Sequence, residues 1–209
     1  MAPGEIDEGK RATLRRFAAL GAAGSVPLAR LAGTARGEDA GDASTETRAA
    51  ILGYLATMPG THFSKIRDDL SLGTGETQYH LRRLVDDETV ETFRDGDYRR
   101  YALAGRFEGF EKTVLGYLRR ETPRGMLVEL LRAPETTPSD LADVVGVSRP
   151  TVSKYARELE QAGLLSRADG YAVERPATVL TLLVRYADSF GPEAVALAAE
   201  ADTLVRYDP

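Results

Sequence analysis

The 209-residue sequence predicts a mainly α-helical chain with small β-hairpins, an α+β fold in which one unit occurs twice. Laying the chain over itself at an offset of 75 residues gives an ungapped match of residues 46–70 with residues 121–145. In both copies apolar residues recur at three- and four-residue spacing, which is typical of amphipathic helices. Each copy ends on alternating residues around an Asp-Gly pair, which indicates a hairpin.

The repeat rests on identities as well as on shared apolar positions. Two copies are too few for a solenoid, so we interpret them as two domains of one supersecondary type. The identical pairs are Glu46 and Glu121, Thr47 and Thr122, Leu52 and Leu127, Leu55 and Leu130, Pro59 and Pro134, Thr61 and Thr136, Ser64 and Ser139, and Asp68 and Asp143.

The first copy is predicted to contain three helices and a hairpin. A helix over 45–57 is ended by a Pro-Gly pair, and a second helix follows over 64–70. After the turn SLGTG, Thr74 is expected to cap the third helix. The hairpin turns at Asp95-Gly96.

The second copy is predicted to have the same order. Its helices span 122–132, 138–145 and 149–162, and its hairpin turns at Asp169-Gly170. Pro150 falls in the first turn of the third helix, where a missing N–H is harmless.

Outside the repeat, two apolar stripes are expected. A connecting helix carries the first, and the C-terminal helices carry the second, which packs into their own core more often than against a partner. The stripes are Phe107, Phe110, Val114 and Tyr117, and Val179, Leu183, Tyr186 and Phe190. The predicted segments are a flexible Ala/Gly-rich N-terminus over 1–44, the first domain over 45–105, the connecting helix over 106–121, the second domain over 122–175 and the C-terminal helices over 176–209.

Composition excludes several kinds of chemistry. The chain has no cysteine, and its two histidines, His62 and His80, lack a metal-binding spacing. The GTGE segment at 73–76 lacks the lysine and spacing of a phosphate-binding loop. We therefore expect no cofactor, no metal and no enzymatic activity.

The charge of the chain bears on its partners. A net charge of −5 argues against loose binding to polyanions, although a local basic surface is compatible with it. The basic residues are almost all arginine, a profile that resembles proteins of salt-adapted organisms. Concentrated salt would screen the repulsion between the protein and a phosphate backbone.

Both copies resemble known DNA-binding units. The second contains TPSDLADVVGVSRPTVSKYARELEQAGLL, which resembles the helix-turn-helix of bacterial and archaeal regulators of the ArsR and MarR type. The first contains GTHFSKIRDDLSLGTGETQYHLRRLVDDETV and RDGDYRRYAL, and is similar to the winged-helix half of archaeal tandem regulators. The resemblance covers about residues 45–175. The copies differ at Glu76, which falls on Thr151, and in the second hairpin, which is short and has Asp169 at its tip.

The resemblance implies a cytoplasmic transcriptional regulator that binds double-stranded DNA. An α-helix fits the major groove, where glutamine can pair with adenine and arginine with guanine, while flanking cations hold phosphates. In the first copy the candidate DNA-binding residues are Gln78, Tyr79, His80, Arg82 and Arg83 on the third helix and Arg94, Arg99 and Arg100 on a basic hairpin, the wing. In the second copy they are Ser148, Arg149, Thr151, Ser153, Lys154 and Arg157.

Two other functions use the same helices in different ways. A winged-helix module could bind proteins through the same helices, but cations such as Arg82 and Lys154 occupy the exposed faces. An RNA-binding adaptor is disfavoured because aromatic residues for stacking are scarce there. A homodimer formed through the C-terminal helices is expected, and a small-molecule effector is a further candidate partner.

The N-terminal segment has the outline of a signal peptide. Lys10, Arg11, Arg15 and Arg16 precede a mild apolar run over 17–29, which is too short to span a bilayer. Because a pair of DNA-binding domains works inside the cell, we expect a cytoplasmic tail or peripheral helix. Association of this segment with a membrane is the alternative.

Overall fold

The computed structural model describes residues 3–23 and 38–204. The chain divides into two compact units, Met1–Phe107 and Glu108–Pro209. Helices dominate both units, and each unit contains one small antiparallel sheet. The predicted fold class is therefore confirmed.

Unit 1 has four helices and a three-stranded sheet in its described part. The strand order is β1-β3-β2 with both pairings antiparallel, and β1 is a short strand that the sequence did not predict. The elements are α1 (Pro3–Ala23), α2 (Glu38–Thr57), β1 (Thr61–His62), α3 (Phe63–Asp69), α4 (Thr74–Asp86), β2 (Val90–Asp95) and β3 (Tyr98–Leu103).

The core of unit 1 forms where the apolar stripes of its helices meet the sheet. Ile51 and Leu55 come from α2, Ile66 from α3 and Leu81 and Leu84 from α4, and all five side chains are buried. This burial stabilises each short helix, since helices of this length are marginal in isolation. It also determines which side of α4 is left exposed.

Unit 2 consists of eight helices and a two-stranded hairpin in its described part. The hairpin strands have only two residues each. The elements are α5 (Gly109–Leu118), α6 (Glu121–Arg132), α7 (Pro138–Val145), α8 (Arg149–Gln161), β4 (Leu165–Ser166), β5 (Ala172–Val173), α9 (Pro176–Arg185), α10 (Ala187–Phe190), α11 (Pro192–Ala199) and α12 (Ala201–Leu204).

The sequence repeat is a structural repeat. Helices α4 and α8 begin at Thr74 and Arg149 and end at Asp86 and Gln161, so both boundaries are 75 residues apart. The turns between the helices also agree, because the backbone is left-handed at Ser71 (φ 54°) and at its counterpart Gly146 (φ 73°). The two copies therefore share one fold.

The N-terminal segment differs from the prediction of a flexible chain over 1–44. Residues 3–23 form the helix α1, and α2 begins at Glu38 rather than at Thr45. Leu14 of α1 is buried in the core of unit 1, which explains why this part of the segment is ordered. The signal-like apolar run continues into residues 24–37, which lie outside the described residues. Within the described ranges no helix is long and apolar enough to cross a membrane.

The C-terminal stripe is an internal core, the alternative that the sequence favours over a partner surface. Val179, Leu183, Tyr186 and Phe190 are all buried within unit 2. Helix α9 packs against α5 and α11, and α11 packs against α6, so the apolar faces of these helices cover one another. The segment predicted as a connecting helix is α5, which is part of this core.

Candidate nucleic-acid interface

The first helix-turn-helix is formed by α3 and α4, and local hydrogen bonds set its turn. The Nδ1 atom of His62 accepts from the Lys65 N–H at 3.3 Å and caps α3. The N-cap of α4 is Gly73, not Thr74 as predicted. The Gly73 N–H donates to the Glu76 carboxylate at 3.3 Å, which is the reciprocal half of a capping box; glycine has no side chain to supply the other half.

The exposed face of α4 carries four of its five predicted site residues. Gln78, Tyr79, Arg82 and Arg83 are exposed, and Tyr79 has 57% of its surface accessible. The face is polar and cationic apart from this tyrosine. Its residue types are those that read base edges and hold phosphates in the major groove.

His80 is the exception on α4, because the structure buries it. It is only 5% exposed because it follows Thr77 by three residues and precedes Leu84 by four, on the side that packs into the core. Burial lowers the pKa of His80, which keeps the imidazole neutral near pH 7. Its place on the helix and its charge state both make it a core residue and not a DNA contact.

The wing of unit 1 is the hairpin of β2 and β3, and it presents two of its three arginines. Arg94 and Arg99 are paired directly across the strands and both are exposed. In the described part of the chain neither guanidinium forms an ion pair, although Arg99 also lies 5.7 Å from the Tyr101 ring centroid. The two cations are therefore available to an external anion.

Arg100 is the third predicted arginine of the wing, and the structure buries it. It is 2% exposed, its Nε donates to Asp95 Oδ2 at 2.7 Å, and its Nη1 donates to the Gly60 carbonyl at 3.0 Å. Neighbouring residues of a strand point to opposite faces, so Arg99 and Arg100 cannot share the exposed one. Arg100 holds the hairpin in place and does not contact DNA.

A groove of about 540 Å³ separates α4 from β3 within unit 1. Gln78 and Arg82 line it from the helix, and Arg99 and Tyr101 line it from the strand. The groove thus places Gln78, a residue type that reads base edges, beside the cations Arg82 and Arg99, which can bind phosphates. Asp86 also lines the groove, with its Oδ2 3.9 Å from Arg82 Nε, and this weak, exposed contact leaves Arg82 free to rotate.

The second recognition helix, α8, begins at a serine cap. Ser148 Oγ accepts from the Thr151 N–H at 3.3 Å, and the two hydroxyl groups are 2.8 Å apart. Pro150 occupies the first turn as predicted. Arg149 Nη2 donates to Ser139 Oγ at 2.5 Å, which fastens the start of α8 to α7.

The exposed side of α8 brings together the remaining predicted residues of the second copy. Ser153, Lys154 and Arg157 are exposed, whereas Thr151 is half-buried. Lys154 Nζ lies 3.8 Å from Glu158 Oε1, one turn further along the helix. Exposed pairs of this kind contribute little, so Lys154 can exchange its partner for a phosphate.

The hairpin of unit 2 is a poor counterpart to the basic wing. Its strands contain two residues each, and its one arginine, Arg167, is bound to Glu160. Asp169 lies in the turn between the strands. In unit 2 the cations presented by the motif are therefore on the helix and not on the hairpin.

Tyr98 is a candidate site residue that the sequence prediction omits. It begins β3 directly before Arg99, on the opposite face of the strand, and is half-exposed. Its ring stacks on His62, with centroids 5.5 Å apart, and the Arg100 guanidinium lies 5.3 Å from its centroid. The signal in the sequence is an aromatic residue directly after a Gly-Asp turn.

Two family models match the chain, one for each copy of the motif. One is described as an N-terminal HTH domain and matches residues 45–115. The other is described as winged helix-turn-helix DNA-binding and matches residues 119–166. No curated protein matches the chain, and no solved structure does.

These matches and the repeated architecture define the class of protein. The chain carries two tandem helix-turn-helix domains with small β wings. It is a tandem winged helix-turn-helix regulator that binds DNA.

Proposed function

We propose that this protein is a cytoplasmic, sequence-specific regulator of transcription that binds double-stranded DNA. Helices α4 and α8 enter the major groove, and the wing of unit 1 lies against the backbone. Its resemblance to ArsR and MarR regulators belongs to this proposal. The homodimer and the small-molecule effector remain predictions, and the C-terminal stripe no longer supplies an interface for the dimer.

The groove between α4 and β3 carries the proposal. Gln78 and Arg82 can form paired hydrogen bonds with adenine and guanine, and Arg99 faces them from the wing. Base contacts specify a sequence, whereas contacts to phosphates set position and register. One surface of unit 1 therefore offers both kinds of contact.

The second motif also supports DNA binding, but its exposed cations lie on the recognition helix and not on the hairpin. Lys154 and Arg157 are exposed on α8, while the hairpin beside it has no unpaired arginine among its described residues. Unit 2 therefore depends on its helix for binding. We infer that the wing of unit 1 supplies more of the affinity that is independent of sequence.

A protein-interaction module is the competing function. Such a module needs an apolar patch on the recognition helices. Among the described residues of α4, Tyr79 is the one large apolar side chain that is exposed, and it is surrounded by Gln78, Arg82 and Arg83. This polar surface favours DNA over a protein partner.

Selection from a random pool of duplexes tests the proposal. The wild-type protein should enrich one sequence, and Arg82→Ala should bind it more weakly by about 1–3 kcal/mol with relaxed preference at one position. Arg185→Ala, an exposed arginine on α9, is the matched control and should bind like wild type. Failure of the wild type to enrich any sequence, with protein partners captured through Tyr79, would establish the interaction module instead.

A further inference from the structure

Helix α1 lies outside both matched motifs and yet is folded into unit 1. Leu14 is buried in the core, and the Phe17 ring meets the edge of Tyr54 on α2 with centroids 5.2 Å apart. The matched regions begin only at residue 45. DNA reading by the two matched motifs therefore leaves this helix without a role.

A hydrogen-bonded ion pair joins α1 to the first turn of the recognition helix. Lys10 Nζ lies 2.9 Å from Glu76 Oε2, and the same carboxylate accepts from Thr47 Oγ1 at 3.3 Å. Burial raises the pKa of Glu76, but hydrogen bonds from Lys10 and the Gly73 N–H outweigh it, so the net pKa is lowered. Glu76 is thus a stable negative charge, neutralised from α1, at the start of α4.

The position of Glu76 on α4 shows where α1 lies relative to the wing. Gln78 and Arg82 are one turn apart on the flank of α4 that faces the wing across the groove. Glu76 and His80 are one turn apart on the opposite flank, next to α1. The wing and α1 therefore border the exposed face of α4 on its two sides.

A helix in the major groove has a phosphate backbone on each side of it. The wing supplies cations to one side through Arg94 and Arg99. Helix α1 also carries basic residues. Arg11 and Arg15 are one turn apart and exposed, and 76% of the Arg15 side chain is accessible. Arg15 also lies 3.4 Å from Glu46 of α2, a contact that a phosphate can replace at this exposure.

We propose that α1 is a second phosphate-binding element, in which Arg11 and Arg15 contact the DNA backbone on the flank of α4 opposite the wing. Lys10 is a positioning residue: it docks α1 against α4 and neutralises Glu76, which would otherwise repel the backbone. The acidic residues of α1 precede Lys10 in the sequence, so no acidic residue lies among its basic residues from Lys10 to Arg16. This inference rests on the proposed DNA binding.

Titration of the full chain with duplex DNA at several salt concentrations tests α1. Loss of two phosphate contacts should make the slope of log affinity against log salt less negative by about 1.8. Affinity should fall roughly tenfold or more at 0.1 M salt. Arg11→Ala/Arg15→Ala should show this with selected and random duplexes alike. Both arginines are exposed. A thermal melt of the same variant checks that it is folded, and Arg185→Ala serves as the control.

A second pair of variants separates neutralisation from simple packing. Lys10→Ala should weaken DNA binding because it leaves the charge of Glu76 beside the backbone. Adding Glu76→Gln should restore much of that loss, since glutamine can still accept the hydrogen bond of the Gly73 N–H without carrying a charge. If Lys10→Ala binds DNA normally, or if Glu76→Gln gives no rescue, this role of Lys10 is wrong.

The wing distinguishes failure of this inference from failure of the proposed function. If Arg94→Ala/Arg99→Ala loses affinity while the α1 variant keeps wild-type affinity and slope, α1 is not a DNA contact and the proposed function stands. If both keep wild-type affinity and slope, neither the wing nor α1 contacts the backbone; only a wild-type chain that fails to bind duplex DNA overturns the proposed function as well. Vesicles of phosphatidylglycerol provide the remaining comparison: binding to them that is lost in the α1 variant, with DNA binding intact, would make α1 a membrane contact and overturn the inference.

Discussion

Arg94 on β2 and Arg99 on β3 lie directly opposite each other, so that two exposed guanidinium groups share one face of the wing. Like charges in such a pair destabilise a sheet. The protein as a whole is acidic, with a net charge of −5, so the wing is a local region of positive charge on an acidic protein. It suits a surface that binds a polyanion, because a phosphate between the two arginines relieves their repulsion.

Removing both arginines of the wing should weaken binding to every duplex alike. For Arg94→Ala/Arg99→Ala we expect the slope of log affinity against log salt to become less negative by about 1.8, because two phosphate contacts are lost. Stability should stay constant or rise slightly, since the repulsive pair is gone. Fluorescence anisotropy at several salt concentrations measures the slope. A variant that loses affinity for one sequence only would show that the wing reads bases.

The neighbouring Arg100 should behave in the opposite way. Arg100→Ala removes the guanidinium that neutralises the buried Asp95 carboxylate, so the free energy of unfolding should fall by about 3–5 kcal/mol. Urea denaturation measures the loss, with Arg99→Ala as the adjacent control that should not destabilise. If Arg100→Ala is as stable as wild type and binds DNA more weakly, Arg100 contacts DNA after all.

The two faces of α8 should separate binding from folding. Lys154→Ala/Arg157→Ala removes exposed cations, so DNA binding should fall while the thermal melt stays unchanged. Leu159→Ala instead leaves a cavity and should cost about 2–5 kcal/mol of stability. Melts recorded beside DNA titrations distinguish the two effects. Wild-type affinity of a normally melting double variant would mean that the second motif does not contact DNA.

Two neighbouring positions on α9 test whether the C-terminal stripe is an internal core. Leu183 has no exposed surface, whereas Val184 is 39% exposed. Leu183→Glu should therefore lower the free energy of unfolding of unit 2 by about 3–5 kcal/mol, because it buries a charge without a partner. Val184→Glu should be close to neutral. A stable Leu183→Glu variant that differs from wild type only by a halved mass in light scattering would restore the dimer interface.

Comparison of the two copies identifies a strained backbone position in the first copy, Glu88. Glu88 has a left-handed backbone with φ 52°, and its counterpart in the second copy is Gly163 with φ 70°. Because a side chain disfavours this conformation, Glu88→Gly should raise the free energy of unfolding by roughly 0.5–1 kcal/mol. The reverse change, Gly163→Ala, should lower it by about 1 kcal/mol, since no neighbouring atom is close enough to add a steric cost. Chemical denaturation of both variants tests the pair.

Features that depend on local spacing could be read from the sequence. The offset of 75 residues correctly related the boundaries of α4 and α8, because identical apolar periods form identical helices. Ser148 and Pro150 marked the start of α8 because a cap and a first-turn proline act within a few residues. Exposure of Gln78, Arg82, Lys154 and Arg157 followed from the same helical period.

The tertiary structure decided which of several similar residues are buried. Arg99 and Arg100 are neighbours of one type, and pairing of β3 with β1, next to Gly60 and Asp95, is what encloses Arg100. His80 became a core residue because its side of α4 packs against α2, with Lys10 of α1 nearby, and the C-terminal stripe became internal because α5 and α11 cover it. Burial depends on elements distant in the chain, and a periodic pattern identifies an apolar face without identifying what packs against it.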